Sequence, residues 1–255
     1  MSRNGFLKIN NLSSGYGKNL ILKNLSLEIP SGLVTLIGSN GSGKTTLLNV
    51  LAGLKNYSGN VLLNGKEVKS ISRKKFARSV SFVMSSKNFK PSYSFTVRQI
   101  ISMGRLPFQN LFSRLSSYDE ELIFKAASTL KISHLLSRDI TTLSDGERQL
   151  TFIASALAQD TEIILLDEST NSLDPDKASK VIEILKSLAN LGKNIIMAVH
   201  DVNIQSDYYV ALKDGNLISH GKKLNSEILE NLYDTKFIPY SNSERDDLMW
   251  RALPK

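Results

Sequence analysis

The chain has 255 residues, 41% hydrophobic and 22% charged, a balance that excludes a fibrous or disordered protein and allows one large domain with a substantial core. It contains no cysteine, which excludes a disulfide framework and a thiolate metal site and fits a reducing compartment. Lys and Arg exceed Asp and Glu by 32 to 24, so anionic partners are favoured; the basic residues never interleave with aromatics as a stacking platform would, and no nucleic acid is expected.

The first residues, MSRNGFLKIN, lack the apolar core of a signal peptide. No apolar run approaches the roughly eighteen residues of a membrane span, so membrane contact is expected to be peripheral. Two hairpin-like runs, FLKINNLSSGY (6–16) and NLILKNLSLEI (19–29), read as an antiparallel layer. LVTLIG (33–38), SVSFVM (79–84), EIILLD (162–167), NIIMAV (194–199) and YYVAL (208–212) read as buried strands alternating with helical patterns. That alternation predicts an α/β fold with a largely parallel sheet. Between 96 and 136 the pattern turns helical, with Leu122, Ile123, Ala126, Ala127 and Leu130 at helical spacing. The tail SNSERDDLMWRALPK (241–255) turns polar and is expected to dock loosely or fray.

GSNGSGKTT (38–46) follows a predicted strand and opens a helical run, which is the context the G-x-x-x-x-G-K-[ST] spacing requires. Gly38, Ser39, Asn40, Gly41, Ser42, Gly43, Lys44, Thr45 and Thr46 are therefore candidate nucleotide-binding residues. Gly41 and Gly43 let the backbone curl until successive N–H groups point at phosphate oxygens. Lys44 is suited to the β- and γ-phosphates, and the Thr45 hydroxyl to Mg²⁺. Asp167 emerges at the carboxyl end of a buried strand, where open α/β sheets place ligands, and is a candidate Mg²⁺ ligand. Glu168 beside it is a candidate general base for an attacking water. His200 ends another buried strand and is a candidate donor to transition-state charge. Each has a plainer reading, as acids solvating a strand end or a structural histidine.

A second Ser-Gly helix start, TTLSDGERQL (141–150), is also of a kind that holds phosphate. The ordered set Tyr16, GSNGSGKTT, a helical insert, LSDGERQ (143–149), IILLDEST (163–170), NSLD (171–174) and AVHD (198–201) resembles the nucleotide-binding subunits of ATP-binding cassette (ABC) transporters over nearly the whole chain. FTVRQIISMGRLPF (95–108) and IASALAQD (153–160) are similar to the subgroup serving importers of iron–siderophore complexes, haem or cobalamin.

The resemblance implies a P-loop cassette of residues 1–240, with an antiparallel β layer, a RecA-like mostly parallel sheet and a helical subdomain over about 96–158, followed by the tail 241–255. It implies ATP and Mg²⁺ as cofactors and a head-to-tail dimer, in which Ser144 and the Gly146 backbone touch the γ-phosphate held by the second copy. It places Tyr16 on adenine and Asp174 in the loop linking the two sites. It implies two integral membrane permease subunits, indirectly an external substrate-binding protein, and a peripheral position on the cytoplasmic face of the membrane. Residues 95–108 are then candidates for permease contact, with Ile100 and Ile101 alternatively core.

Four positions depart from the pattern, one of them Glu147, which replaces a commoner glutamine and fits the importer subgroup. Ser85 stands where the family carries a glutamine that contacts Mg²⁺ and water; its shorter hydroxyl predicts slow or weakly coupled hydrolysis, unless Asn88 substitutes. Asp145 replaces a glycine and must turn away from triphosphate. Ser169 replaces a common proline and is expected only to loosen its turn. A soluble cassette acting on nucleic acid or ribosomes, and a weakly hydrolysing regulatory cassette, are the alternative functions.

Overall fold

The computed structural model describes residues 6–17, 19–85, 93–110, 114–242 and 247–253. The chain forms two compact units, Met1–Ser70 with Ile196–Lys255, and Ile71–Ile195.

The first unit begins with β1 (Leu7–Tyr16) and β2 (Asn19–Ile29), which pair antiparallel as their alternation predicts. Leu7, Ile9, Leu12, Leu22, Leu25, Leu27 and Ile29 point into the core. The register slips near Asn11, which has φ 51°, a left-handed conformation asparagine tolerates better than most residues. β3 (Leu33–Ile37) is buried along its whole length and delivers the chain to α1 (Lys44–Leu51). β4 (Ser58–Leu63) and β5 (Lys66–Glu67) turn on Asn64-Gly65, both at positive φ, completing a sheet of order β2-β1-β4-β5.

The second unit contains α2 (Arg73–Ala77), β6 (Val80–Val83), α3 (Val97–Met103), α4 (Ser117–Thr129), α5 (Asp145–Gln159), β7 (Ile163–Asp167) and α6 (Pro175–Asn190). β6 and β7 pair parallel. Capping boxes start the three middle helices: Thr96 with Gln99, Ser116 with Asp119 and Ser144 with Glu147. Ile123, Ala126, Ala127 and Leu130 are buried, as their spacing predicts. Ile100 and Ile101 are core as well, so within 95–108 the exposed apolar residues are Met103, Leu106 and Phe108.

The chain returns to the first unit within β8 (Asn194–Ala198). β9 (Tyr208–Lys213) runs parallel to β3 and pairs antiparallel with β10 (Asn216–Gly221) through the left-handed Asp214-Gly215 turn. After α7 (Ser226–Tyr233), β11 (Phe237–Asn242) and β12 (Asp247–Ala252) form a hairpin. Much of the segment expected to fray is therefore a strand. No helix among the described residues is long and apolar enough to cross a membrane.

Candidate active site

In the first unit, residues 38–43 wrap the N-terminus of α1. Gly43 caps the helix at φ 105° with no side-chain capping bond, so no side chain stands between the positive end of the α1 dipole and the loop. Gly38 sits at φ 147°, and a Cβ there would lie 2.1 Å from the Leu212 carbonyl oxygen, so only glycine fits this approach. Lys44 is buried, and its ammonium donates to the carbonyls of Gly38 (2.8 Å) and Ser39 (3.1 Å). It thus braces the loop it belongs to. The Ser42 hydroxyl is buried in the same loop with no hydrogen-bond partner. A buried hydroxyl left unsatisfied costs free energy, and a phosphate oxygen in the cradle would remove that cost. Asn40, Gly41 and Thr45 are exposed, while Thr46 is buried at the root of α1.

Two further residues belong to this unit. Tyr16, at the end of β1, is exposed, and the Lys55 ammonium lies 3.0 Å from its ring centroid. His200 is exposed just past β8, where the preceding Val199 N–H donates to the Leu36 carbonyl at 3.1 Å.

In the second unit, β7 ends at Asp167. Glu168 follows at φ 49°, unusual for a non-glycine and of the kind found where structure holds a side chain in place for use. The Asn171 amide donates to the Glu168 carboxylate at 3.2 Å, orienting it; the sequence placed Asn171 in the NSLD motif but gave it no role. Ser169 does more than loosen the turn: its buried hydroxyl donates to the Val83 carbonyl at 3.2 Å, a bond proline cannot make. The Gln149 amide donates to Met84 O at 3.3 Å, so the main chain before half-buried Ser85 is held at two successive carbonyls. Asn88 lies outside the described residues.

At the start of α5, the Ser144 hydroxyl donates to Glu147 Oε2 at 2.8 Å and accepts from the Glu147 N–H at 3.3 Å. The Ser144 N–H, then its hydroxyl, and more weakly Arg138 and Lys177, hold the Glu147 carboxyl below the usual range despite partial burial. Asp145 is held by Arg148 at 3.0 Å, which offsets the charge this departure introduces. A Cβ on Gly146 would lie 3.4 Å from the Ser172 carbonyl oxygen, so the 168–174 loop packs closely on the first turn of α5. Asp174 caps α6 ahead of Pro175, exposed and 3.1 Å from the Lys177 ammonium.

Thr45, Ser85 and Asp167 offer hard oxygen donors of the kind Mg²⁺ takes. Among the described residues no group of three or more His, Cys, Asp or Glu side chains converges on a metal position. Each of these donors by itself suits an ion that takes most of its shell from water and nucleotide phosphates.

A phosphate loop without a capping side chain, on a strand-to-helix turn of an α/β fold, defines a nucleotide-binding P-loop protein. The ABC transporter family profile matches residues 22–171, more than half of the chain. The chain is 34% identical over 237 residues to the petrobactin import ATP-binding protein YclP of Bacillus subtilis (strain 168), covering 89% of this chain and 92% of that protein. Among solved structures it matches a metal-chelate type ABC transporter in an inward-facing conformation, with TM-score 0.83 and 28% identity over 99% of both chains. It also matches the cassette MJ0796, dimeric and bound to ADP and Pi in a post-hydrolysis state, with TM-score 0.74 and 25% identity over 86% of this chain and 99% of that one. The chain belongs to the ABC transporter family and is an ATP-binding ATPase.

Proposed function

We propose that this chain energises an importer of a metal chelate, of the iron–siderophore, haem or cobalamin kind. The observation that carries this reading is the full-length match to a metal-chelate type transporter together with the match to a petrobactin import protein. Lys44 and the N–H groups of 38–46 hold the triphosphate, and Tyr16 stacks on adenine. Thr45 and Asp167 are the residues that would hold Mg²⁺, and the short Ser85 side chain would need a bridging water to take part. Glu168 takes the proton of the attacking water and His200 steadies the γ-phosphate. Ser144 and Gly146 engage ATP held by a second copy, and Asp174 belongs to the loop joining the two sites. ATP favours the closed head-to-tail dimer; loss of its γ-phosphate lets the dimer reopen.

That movement is passed to two permease subunits, with an external binding protein supplying the solute and the chain lying on the cytoplasmic face. An apolar groove of about 330 Å³, lined by Phe95, Gln99, Ser102, Met103, Leu106, Gln109 and Leu115, supports contact with the permease along 95–108.

The test is gel filtration with ATP in a Glu168→Gln background, in which the expected dimer is lost on Ser144→Arg. Dimers that persist with arginine at 144 overturn the shared site. Wild-type hydrolysis no faster than that of Glu168→Gln overturns the catalytic assignment.

A further inference from the structure

The C-terminal hairpin has no part in the roles above, yet it is joined to the loop that carries His200. The Asn203 Nδ2 donates to the Trp250 carbonyl at 3.2 Å, and the Trp250 N–H donates to Asn203 Oδ1 at 2.7 Å. A carboxamide matched to both main-chain groups of one residue acts as an extra rung on β12. The pattern also sets the amide orientation, since the reverse would place donor against donor.

β11 leaves this rung available. Trp250 faces Pro239 in the hairpin register, and proline has no N–H to exchange with it. In an antiparallel pair the N–H and C=O of one residue point to the same side, so both Trp250 groups face outward, where Asn203 takes them.

The loop is held at its ends by β3. Before His200, Val199 bonds to Leu36; after it, the Asp207 N–H donates to Leu33 O at 2.9 Å and the Ser206 hydroxyl lies 2.9 Å from that of Thr35. Between these anchors, the Asn203 N–H donates to Asp201 Oδ1 at 2.9 Å, so Asn203 is one turn from His200. Side-chain packing does not fill the space around the middle of the loop: a pocket of about 260 Å³ is lined there by Val202, Ile204, Gln205 and Trp250. The carboxamide clamp restrains what packing leaves loose.

We propose that Asn203 is a positioning residue for ATP hydrolysis, clamping the His200 loop to the Trp250 main chain of the C-terminal hairpin. This rests on the role proposed above for His200. Asn203 touches neither nucleotide nor water in this account; it narrows the range of positions His200 samples.

The experiment is steady-state ATPase kinetics on the full chain with Asn203→Ala, Asn203→Asp, His200→Ala and the double variant His200→Ala/Asn203→Ala. Asn203→Ala is expected to lower kcat about tenfold while KM for ATP stays within about twofold, because two hydrogen bonds that orient the loop are lost but the phosphate loop is intact. Asn203→Asp, whose carboxylate cannot donate to Trp250 O, is expected to fall alongside it. The double variant is expected to be no slower than His200→Ala, since a residue acting through His200 has nothing left to position. Truncation after Asn242 removes β12 without touching the loop and is expected to reproduce the Asn203→Ala loss, with no further loss when the two are combined. If His200→Ala is slow but Asn203→Ala keeps kcat within about twofold of wild type, or raises KM instead, the clamp is overturned and the function stands. Wild-type turnover in His200→Ala overturns the role of His200 and the clamp with it.

Discussion

Arg105 and Asp119 form a buried ion pair, Nε to Oδ1 at 2.7 Å, with only 4% and 11% of their side chains exposed. Arg105 also donates to the carbonyls of Ala158 (3.0 Å) and Gln159 (3.1 Å), the last of α5, where the helix dipole favours a cation. Asp119 accepts from the Ser116 N–H and hydroxyl, capping α4. One pair therefore ties the start of α4 to the end of the helix that opens with Ser144. Asp119→Ala strands the guanidinium. Removing one partner of a buried pair costs about 3–5 kcal/mol, and the low end applies because two carbonyls still hold Arg105. Loss of the Asp119 half of the α4 capping box, with Ser116 still accepting from the main-chain N–H at 119, adds about 1 kcal/mol. The sum, about 4 kcal/mol, corresponds to a fall in unfolding temperature of roughly 10 °C for a chain of this size. Burial alone would raise the Asp119 pKa, but the Ser116 hydroxyl, Arg105 and the Ser116 N–H outweigh it and lower it. The folded state therefore binds fewer protons than the unfolded state, so the contribution of Asp119 is complete at neutral pH. It is lost as pH falls through the ordinary aspartate value of about 3.9 toward the lower folded one. Thermal unfolding of wild type and variant at pH 7 and pH 4 measures both effects. A variant melting within about 2 °C of wild type at pH 7, or a gap that widens in acid, refutes the reasoning.

Gly38→Ala places a Cβ 2.1 Å from Leu212 O at a positive φ, and is expected to abolish ATP binding in equilibrium titration while far-ultraviolet circular dichroism keeps its helical signal. Ser85→Gln restores the longer amide and is expected to raise the ATPase rate and sharpen its Mg²⁺ dependence; a metal titration in which neither changes refutes the expectation that Ser85 slows hydrolysis. Gly104→Ala sets a Cβ 2.2 Å from the Ser155 carbonyl oxygen on α5, so α3 must shift, and calorimetry is expected to show a loss of about 1–3 kcal/mol.

The phosphate loop was legible in the sequence because its chemistry is local: strand, glycines, lysine and helix start lie within a few turns of chain, and their spacing alone dictates the cradle. The Ser144–Glu147 capping box and the Asn64-Gly65 and Asp214-Gly215 hairpin turns, not singled out in the sequence, are just as local, since their residue types carry the required geometry. Other features depend on residues that meet only after folding. Ser169 reaches Val83 across 86 positions, Asn203 reaches Trp250 across 47, and Arg105 reaches the end of α5 across 53. No periodicity records such pairs, because a hydroxyl or amide has the same local signature whether it meets water or a distant carbonyl. Tertiary packing likewise decided that Ile100 and Ile101 are core while Met103 and Leu106 face outward, since helical spacing names an apolar stripe but not which of its edges the neighbouring helices cover.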